Sequence, residues 1–180
     1  PTLIPWKGGH QLVSPAAKAV ISYDPATGKE LWKVLHRGWS LAPRPIFGHG
    51  LAFVIMDHDR PELWAIRPDG KGDVTESNVQ WTFGSNMPSK PSLVIVGENL
   101  YAISDKGILS CLDAETGKQV WKTYTVPAPG EPGSETWQGD SWKTGGAPSS
   151  SRLSTRLGIC RKTMPTPRAC VKTFTRKRAS

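Results

Sequence analysis

Trp39, Arg44 and His49 stand in a stretch rich in Gly and Pro, from Gly38-Trp39-Ser40 through Arg44-Pro45 to Gly48-His49-Gly50. Such a stretch reads as loop, where binding residues concentrate, so these three form the candidate binding loop. Asp57-His58-Asp59 is the densest set of metal-ligating side chains. An apolar run precedes it and Arg60-Pro61 follows, which reads as a solvated hairpin tip supplying too few convergent ligands for a metal. Asp69-Gly70-Lys71-Gly72-Asp73 has the look of a calcium loop but lacks the ligand period and the closing bidentate Glu, so it reads as a turn. No phosphate-binding glycine loop, zinc-protease helix or nucleophile elbow occurs. No catalytic residue and no metal ligand is assigned.

The elements that position these residues follow from a repeat. Asp24-Pro25-Ala26-Thr27-Gly28-Lys29-Glu30-Leu31-Trp32-Lys33 returns as Asp113-Ala114-Glu115-Thr116-Gly117-Lys118-Gln119-Val120-Trp121-Lys122. Asp, Thr, Gly, Trp and both Lys recur at fixed positions, the mark of a repeat architecture. Each copy lies between two runs of β-forming residues, so each reads as a hairpin. Gly28 and Gly117 supply the positive φ of a tight reversal. Asp24 and Asp113 accept hydrogen bonds from the turn amides. Trp32 and Trp121 follow at a fixed distance as large surfaces to bury between sheets, with ligand stacking as the other use. A degenerate copy lies between them, from Leu63-Trp64 through Asp69-Gly70 to Val79-Gln80-Trp81, with 71–77 as an expanded loop.

This Asp-x-x-Thr-Gly-x-x-x-Trp pattern resembles the tryptophan-docking repeat of the pyrroloquinoline-quinone-type (PQQ-like) β-propellers, over roughly residues 10 to 125. That superfamily includes quinoprotein alcohol dehydrogenases and the lipoprotein propeller of the outer-membrane assembly machinery. The resemblance and the short apolar strands between the tryptophans predict an all-β fold. It is a partial β-propeller of about three four-stranded blades over 1–125, followed by a disordered basic tail over 126–180.

Composition divides the molecule at the same place. The net charge is +8, nearly all of it beyond residue 126, and no acidic residue follows Asp140. Pro, Gly and Ser crowd the start of the tail, which cannot bury enough apolar surface to offset ordering. Repeat, period and charge balance all stop near Tyr124, and the chain begins at Pro1. A truncated or frame-shifted reading of a longer gene is the favoured expectation, beside a fragment of a larger propeller and an assembly of several chains. Open blade edges would favour self-association.

Three cysteines, Cys111, Cys160 and Cys170, without C-x-x-C spacing support neither a disulfide framework nor a zinc site. No apolar run is long enough for a membrane span. The resemblance implies a periplasmic or secreted place. It also implies, for a dehydrogenase, a quinone on a calcium ion at the propeller centre, with an Asp base, a stacking Trp and paired Cys. The chain has no adjacent cysteine pair and no matching calcium set, so no cofactor is expected, and PQQ with calcium would need a complete propeller. Three functions are weighed. A non-catalytic binding or scaffold module for a protein or glycan partner ranks first. A quinoprotein dehydrogenase fragment follows, then anion or nucleic-acid binding, which holds only if the basic tail is genuine.

Overall fold

The apolar residues of this chain recur with the period of two that suits half-buried strands, and thirteen strands result among the described residues. The structure, a computed structural model, describes residues 1–127 and 129–134. They belong to one compact unit, Pro1–Ala147; a second, Pro148–Ser180, lies outside the described residues, as does most of the expected tail.

Strands β1 (Thr2–Trp6), β2 (Gly9–Ala16), β3 (Ala19–Tyr23) and β4 (Glu30–Leu35) form an antiparallel meander. The second meander is β5 (Ile46–Gly48), β6 (Leu51–Met56), β7 (Glu62–Ile66) and β9 (Val79–Phe83). The third is β10 (Val94–Val96), β11 (Asn99–Ile103), β12 (Ile108–Asp113) and β13 (Gln119–Tyr124). Three such sheets are the expected partial propeller. The first begins at Thr2, before the point where the sequence pattern starts.

The segment expected as an expanded loop is partly ordered. It contains β8 (Gly72–Asp73), which pairs parallel to β4, and one helical turn, α1 (Thr75–Asn78). The Val74 amide donates to the Lys33 carbonyl at 2.9 Å and the Leu35 amide to Thr75 Oγ1 at 2.8 Å. Backbone pairing of this kind needs no apolar side chains, so composition hides it. It also covers part of the outer edge of the first sheet, where unpaired backbone groups would stand.

Two apolar layers separate the three sheets. Ile4, Val13, Val20, Trp32 and Val34 of the first sheet meet Val54, Met56 and Ile66 of the second. Phe53, Ile55, Leu63 and Ala65, on the other face of the second sheet, meet Leu93, Leu100, Ala102 and Leu112 of the third. Alternate residues of β6 therefore feed opposite layers, which is why all six are buried. A continuous apolar run is what a strand buried on both faces requires.

Candidate functional site at one end of the sheets

Because each sheet is a meander, its connections fall alternately at two ends. One end collects 17–18, 36–45, 57–61, 84–93 and 104–107; the other collects the repeat turns.

At the first end, the linker after β4 folds against the β6–β7 hairpin. Gly38 permits the approach: a Cβ there would stand 2.6 Å from the Asp57 amide nitrogen. Asp57 has φ +66 and its carboxylate accepts from the His58 amide at 2.7 Å. Desolvation works to raise the Asp57 pKa, and the N–H groups of His58, Asp59, Trp39 and Arg60 outweigh it, holding the carboxyl below its ordinary range. A carboxylate so engaged shapes a loop and makes a weak base. His36, whose Nδ1 accepts from the Gly38 amide at 3.1 Å, is pushed the other way from a ready proton acceptor, since burial lowers its pKa.

Trp39 crowns this loop. Trp39 is 52% exposed, yet its indole is fixed: Nε1 donates to Asp59 Oδ2 at 3.2 Å and the ring centroid lies 5.7 Å from that of His58. Beside it an open cleft of about 590 Å³ runs between the second and third sheets. His58, Arg60, Glu62, Asn86, Asp105 and Lys106 are among its walls. Desolvation would raise the Asp105 pKa, but the Ser89 amide and hydroxyl, each 2.7 Å away, and the charge of Lys90 hold it below the usual carboxylate range.

The three residues of the expected binding loop do not come together. Arg44 ties the starts of the inner strands, its Nε donating to Thr2 Oγ1 at 3.3 Å and its amide to Ser92 Oγ at 3.1 Å. His49 belongs to the β5–β6 turn at the opposite end, where Nε2 lies 2.8 Å from the Gly97 carbonyl. Trp39 alone stands with the Asp57-His58-Asp59 tip. Sequence reasoning set that tip aside and missed Ser89 and Asp105, whose pairing needs two different loops to meet.

The repeat residues lie at the second end and on the strands leading from it. Asp24 Oδ1 accepts from the Ala26 and Thr27 amides at 2.8 and 3.0 Å, and the Gly28 amide returns to the Asp24 carbonyl at 2.8 Å. Asp113 repeats the arrangement with the Thr116 amide at 2.8 Å, the Thr116 hydroxyl at 2.7 Å and Gly117 at 2.9 Å. Equivalent rows run Val13–Ser22–Trp32, Phe53–Ala65–Trp81 and Tyr101–Cys111–Trp121 across the three sheets. Trp81 crosses to the next sheet's turn, its Nε1 donating to the Glu115 carbonyl at 2.9 Å.

The sequence matches the family model of the outer membrane protein assembly factor BamB over residues 2–138. The chain belongs to this family of PQQ-like β-propellers. Among curated proteins it is 29% identical to the quinohemoprotein alcohol dehydrogenase ADH IIB of Pseudomonas putida, over 71% of this chain and 22% of that enzyme. The solved structure of BamB from Moraxella catarrhalis superposes with a TM-score of 0.50 at 18% identity, over 71% of this chain and 36% of that one. Quinohemoprotein alcohol dehydrogenase ADHIIG from Pseudomonas putida HK5 superposes at 0.53 with 21% identity, over 80% of this chain and 24% of that one. The structural likenesses show the fold, and the chain spans only a minor part of each relative.

A quinone–metal centre needs convergent carboxylate and amide oxygens. Among the described residues no three His, Cys, Asp or Glu side chains group so as to hold a metal ion. The Asp57 and Asp105 carboxylates are engaged by their own loops. The described residues do not fit such a centre. No described helix is long and apolar enough to cross a membrane.

Proposed function

We propose that this chain is a non-catalytic propeller segment, a binding or scaffold module that presents the Trp39 end of its sheets to a protein partner. The observation that carries the reading is Trp39 itself, half in solvent and held by Asp59 and His58. A large aromatic surface fixed before binding loses little entropy on contact, and such residues dominate protein interfaces. Kinship with an outer membrane protein assembly factor supports a partner of that assembly kind and a place outside the cytoplasm.

The likeness to a quinohemoprotein alcohol dehydrogenase favours a second reading, a segment of a dehydrogenase. Titration with pyrroloquinoline quinone and calcium, followed by tryptophan fluorescence, separates the two. The binding module predicts no saturable quenching at high micromolar quinone. Saturable, calcium-dependent quenching overturns it in favour of the dehydrogenase.

We also read 1–125 as the propeller segment and 126–180 as a separate basic tail. If that tail binds nucleic acid, affinity falls steeply with salt and vanishes when 127–180 are deleted.

A further inference from the structure

The linker that carries Trp39 is held by a histidine in one protonation state. His36 Nδ1 accepts from the Gly38 amide at 3.1 Å, so that nitrogen is bare and the proton of the neutral ring sits on Nε2. Nε2 is buried without a hydrogen-bond partner among the described residues. A second proton can land only on Nδ1. There it turns the acceptor into a donor that faces the Gly38 N–H.

Gly38 is the residue through which the linker rests on the β6–β7 hairpin, its Cβ position lying 2.6 Å from the Asp57 amide nitrogen. Both sides of that contact are under constraint. Asp57 has φ +66 and Ser40, just beyond Trp39, has φ +52. Side chains keep such conformations only where their surroundings enforce them. Two backbone bonds anchor the linker to the β2–β3 turn at any pH: the His36 amide to the Lys18 carbonyl and the Lys18 amide to the Gly38 carbonyl, both 3.0 Å. The His36–Gly38 bond is the part that a proton can cut near neutrality.

The charged groups placed around the ring come from three elements. Asp57 of the β6–β7 hairpin favours the protonated form, and its carboxylate also holds the Trp39 amide. Lys18 of the β2–β3 turn and Arg37, next in the chain, carry like charge and oppose it. His58 and Asp59 follow Asp57 on the hairpin and hold the indole.

We propose that His36 is a pH-operated clasp for Trp39. Protonation at Nδ1 expels the Gly38 amide, draws the imidazolium toward the Asp57 carboxylate and loosens the indole from Asp59 and His58. The proton comes from solvent, and no bond between heavy atoms forms or breaks. Burial lowers the His36 pKa and outweighs the carbonyls of Ala16 and Ala19 and the charge of Asp57, which raise it. The clasp is therefore shut above the ordinary histidine value of 6.5 and opens as pH falls through the lower folded one. This is a regulation of the Trp39 surface and rests on the reading of that surface as the binding end. A partner meets a pre-ordered indole at neutral pH and a loose one in acid.

Fluorine NMR on the full chain labelled with fluorotryptophan tests this without a partner, the Trp39 signal being assigned from Trp39→Phe. As pH falls, that signal should move with a one-proton midpoint below 6.5 while far-UV circular dichroism stays unchanged. Protection of the Gly38 amide from hydrogen exchange should fall about tenfold over the same range. His36→Asn sets an amide oxygen near the place of Nδ1 and takes no proton, so signal and protection keep their neutral-pH values. His58→Gln keeps the titration, which excludes the imidazole beside the indole as its source. A Trp39 signal and a Gly38 protection that ignore pH overturn the proposal. So does a titration that survives His36→Asn or disappears in His58→Gln alone. If His36→Asn does not fold, the wild-type Gly38 protection decides by itself. Failure here leaves the partner reading standing, and failure of a partner to bind leaves the clasp standing.

Discussion

The indole of Trp81 stands so close to Gly117 on the neighbouring sheet that a Cβ there would lie 2.5 Å from Cε3, and its Nε1 donates to the Glu115 carbonyl at 2.9 Å. A tryptophan at the end of one meander thus reads the turn of the next. Side-chain packing and one hydrogen bond act at the same point, which fixes the spacing of the sheets and, through them, the loop end that carries Trp39.

This joint predicts an asymmetry between two glycines with the same motif and nearly the same φ, +71 at Gly117 and +70 at Gly28. Gly28→Ala meets only the backbone strain, on the order of 1–2 kcal/mol. Gly117→Ala adds a collision with Trp81, for a further cost of roughly 1–3 kcal/mol. Urea denaturation of the two variants measures the difference, and equal losses would contradict the joint.

The tryptophans of the first and third sheets should also part company. Trp32 is fully buried, so Trp32→Ala costs about 3–5 kcal/mol. Trp121 is half-buried beside Tyr101, and Trp121→Ala costs clearly less. Thermal melts at low concentration report both.

The repeat was legible in the sequence because Asp, Thr, Gly and Trp each answer a local demand of a hairpin. The destination of each tryptophan was not, because it lies in another sheet. Trp81 finds a Thr-Gly turn ahead of it. Trp32 faces the degenerate copy, where residues 67–78 replace the tight turn, and it bonds instead to Gln11 Oε1 at 2.8 Å. Gln11 Nε2 then donates to the Pro68 carbonyl at 3.2 Å, carrying the contact to the second sheet. Nothing in the spacing of Gln11 announces this. The candidate site was half legible: Trp39 was singled out, but its partners Asp59 and His58 come from a different sheet.

Gln11 should therefore behave as a structural residue despite its polar side chain. Gln11→Ala leaves Trp32 Nε1 and the Ser22 hydroxyl, which also bonds to Gln11 Oε1 at 3.0 Å, without an acceptor. Leaving buried donors unsatisfied costs roughly 1–3 kcal/mol. Gln11→Glu keeps the acceptor but sets a carboxylate oxygen against the Pro68 carbonyl, so it should lose stability too. Chemical denaturation of the pair checks this.

Stability should fall on the acid side in two stages. Burial holds the folded His36 pKa below its ordinary 6.5, so the unfolded chain takes up the proton first. Stability is then full above about pH 6.5 and declines as pH falls toward the folded value. The carboxyls of Asp105 and Asp113 are held below their ordinary 3.8 despite desolvation: Ser89 holds the first, Thr116 the second. Their contribution is present above that value and is lost as pH drops through the lower folded ones. Urea midpoints across pH should show both declines, and His36→Gln should flatten the first only.

If the Trp39 end meets a protein partner, crosslinking from that end captures it. A photoreactive amino acid placed at position 39 and, separately, at position 76 in α1 at the opposite end tests it most directly in the cells that make the protein. A discrete protein adduct from position 39 that is absent from position 76 is expected. Adducts from neither position, or the same adducts from both, would contradict it.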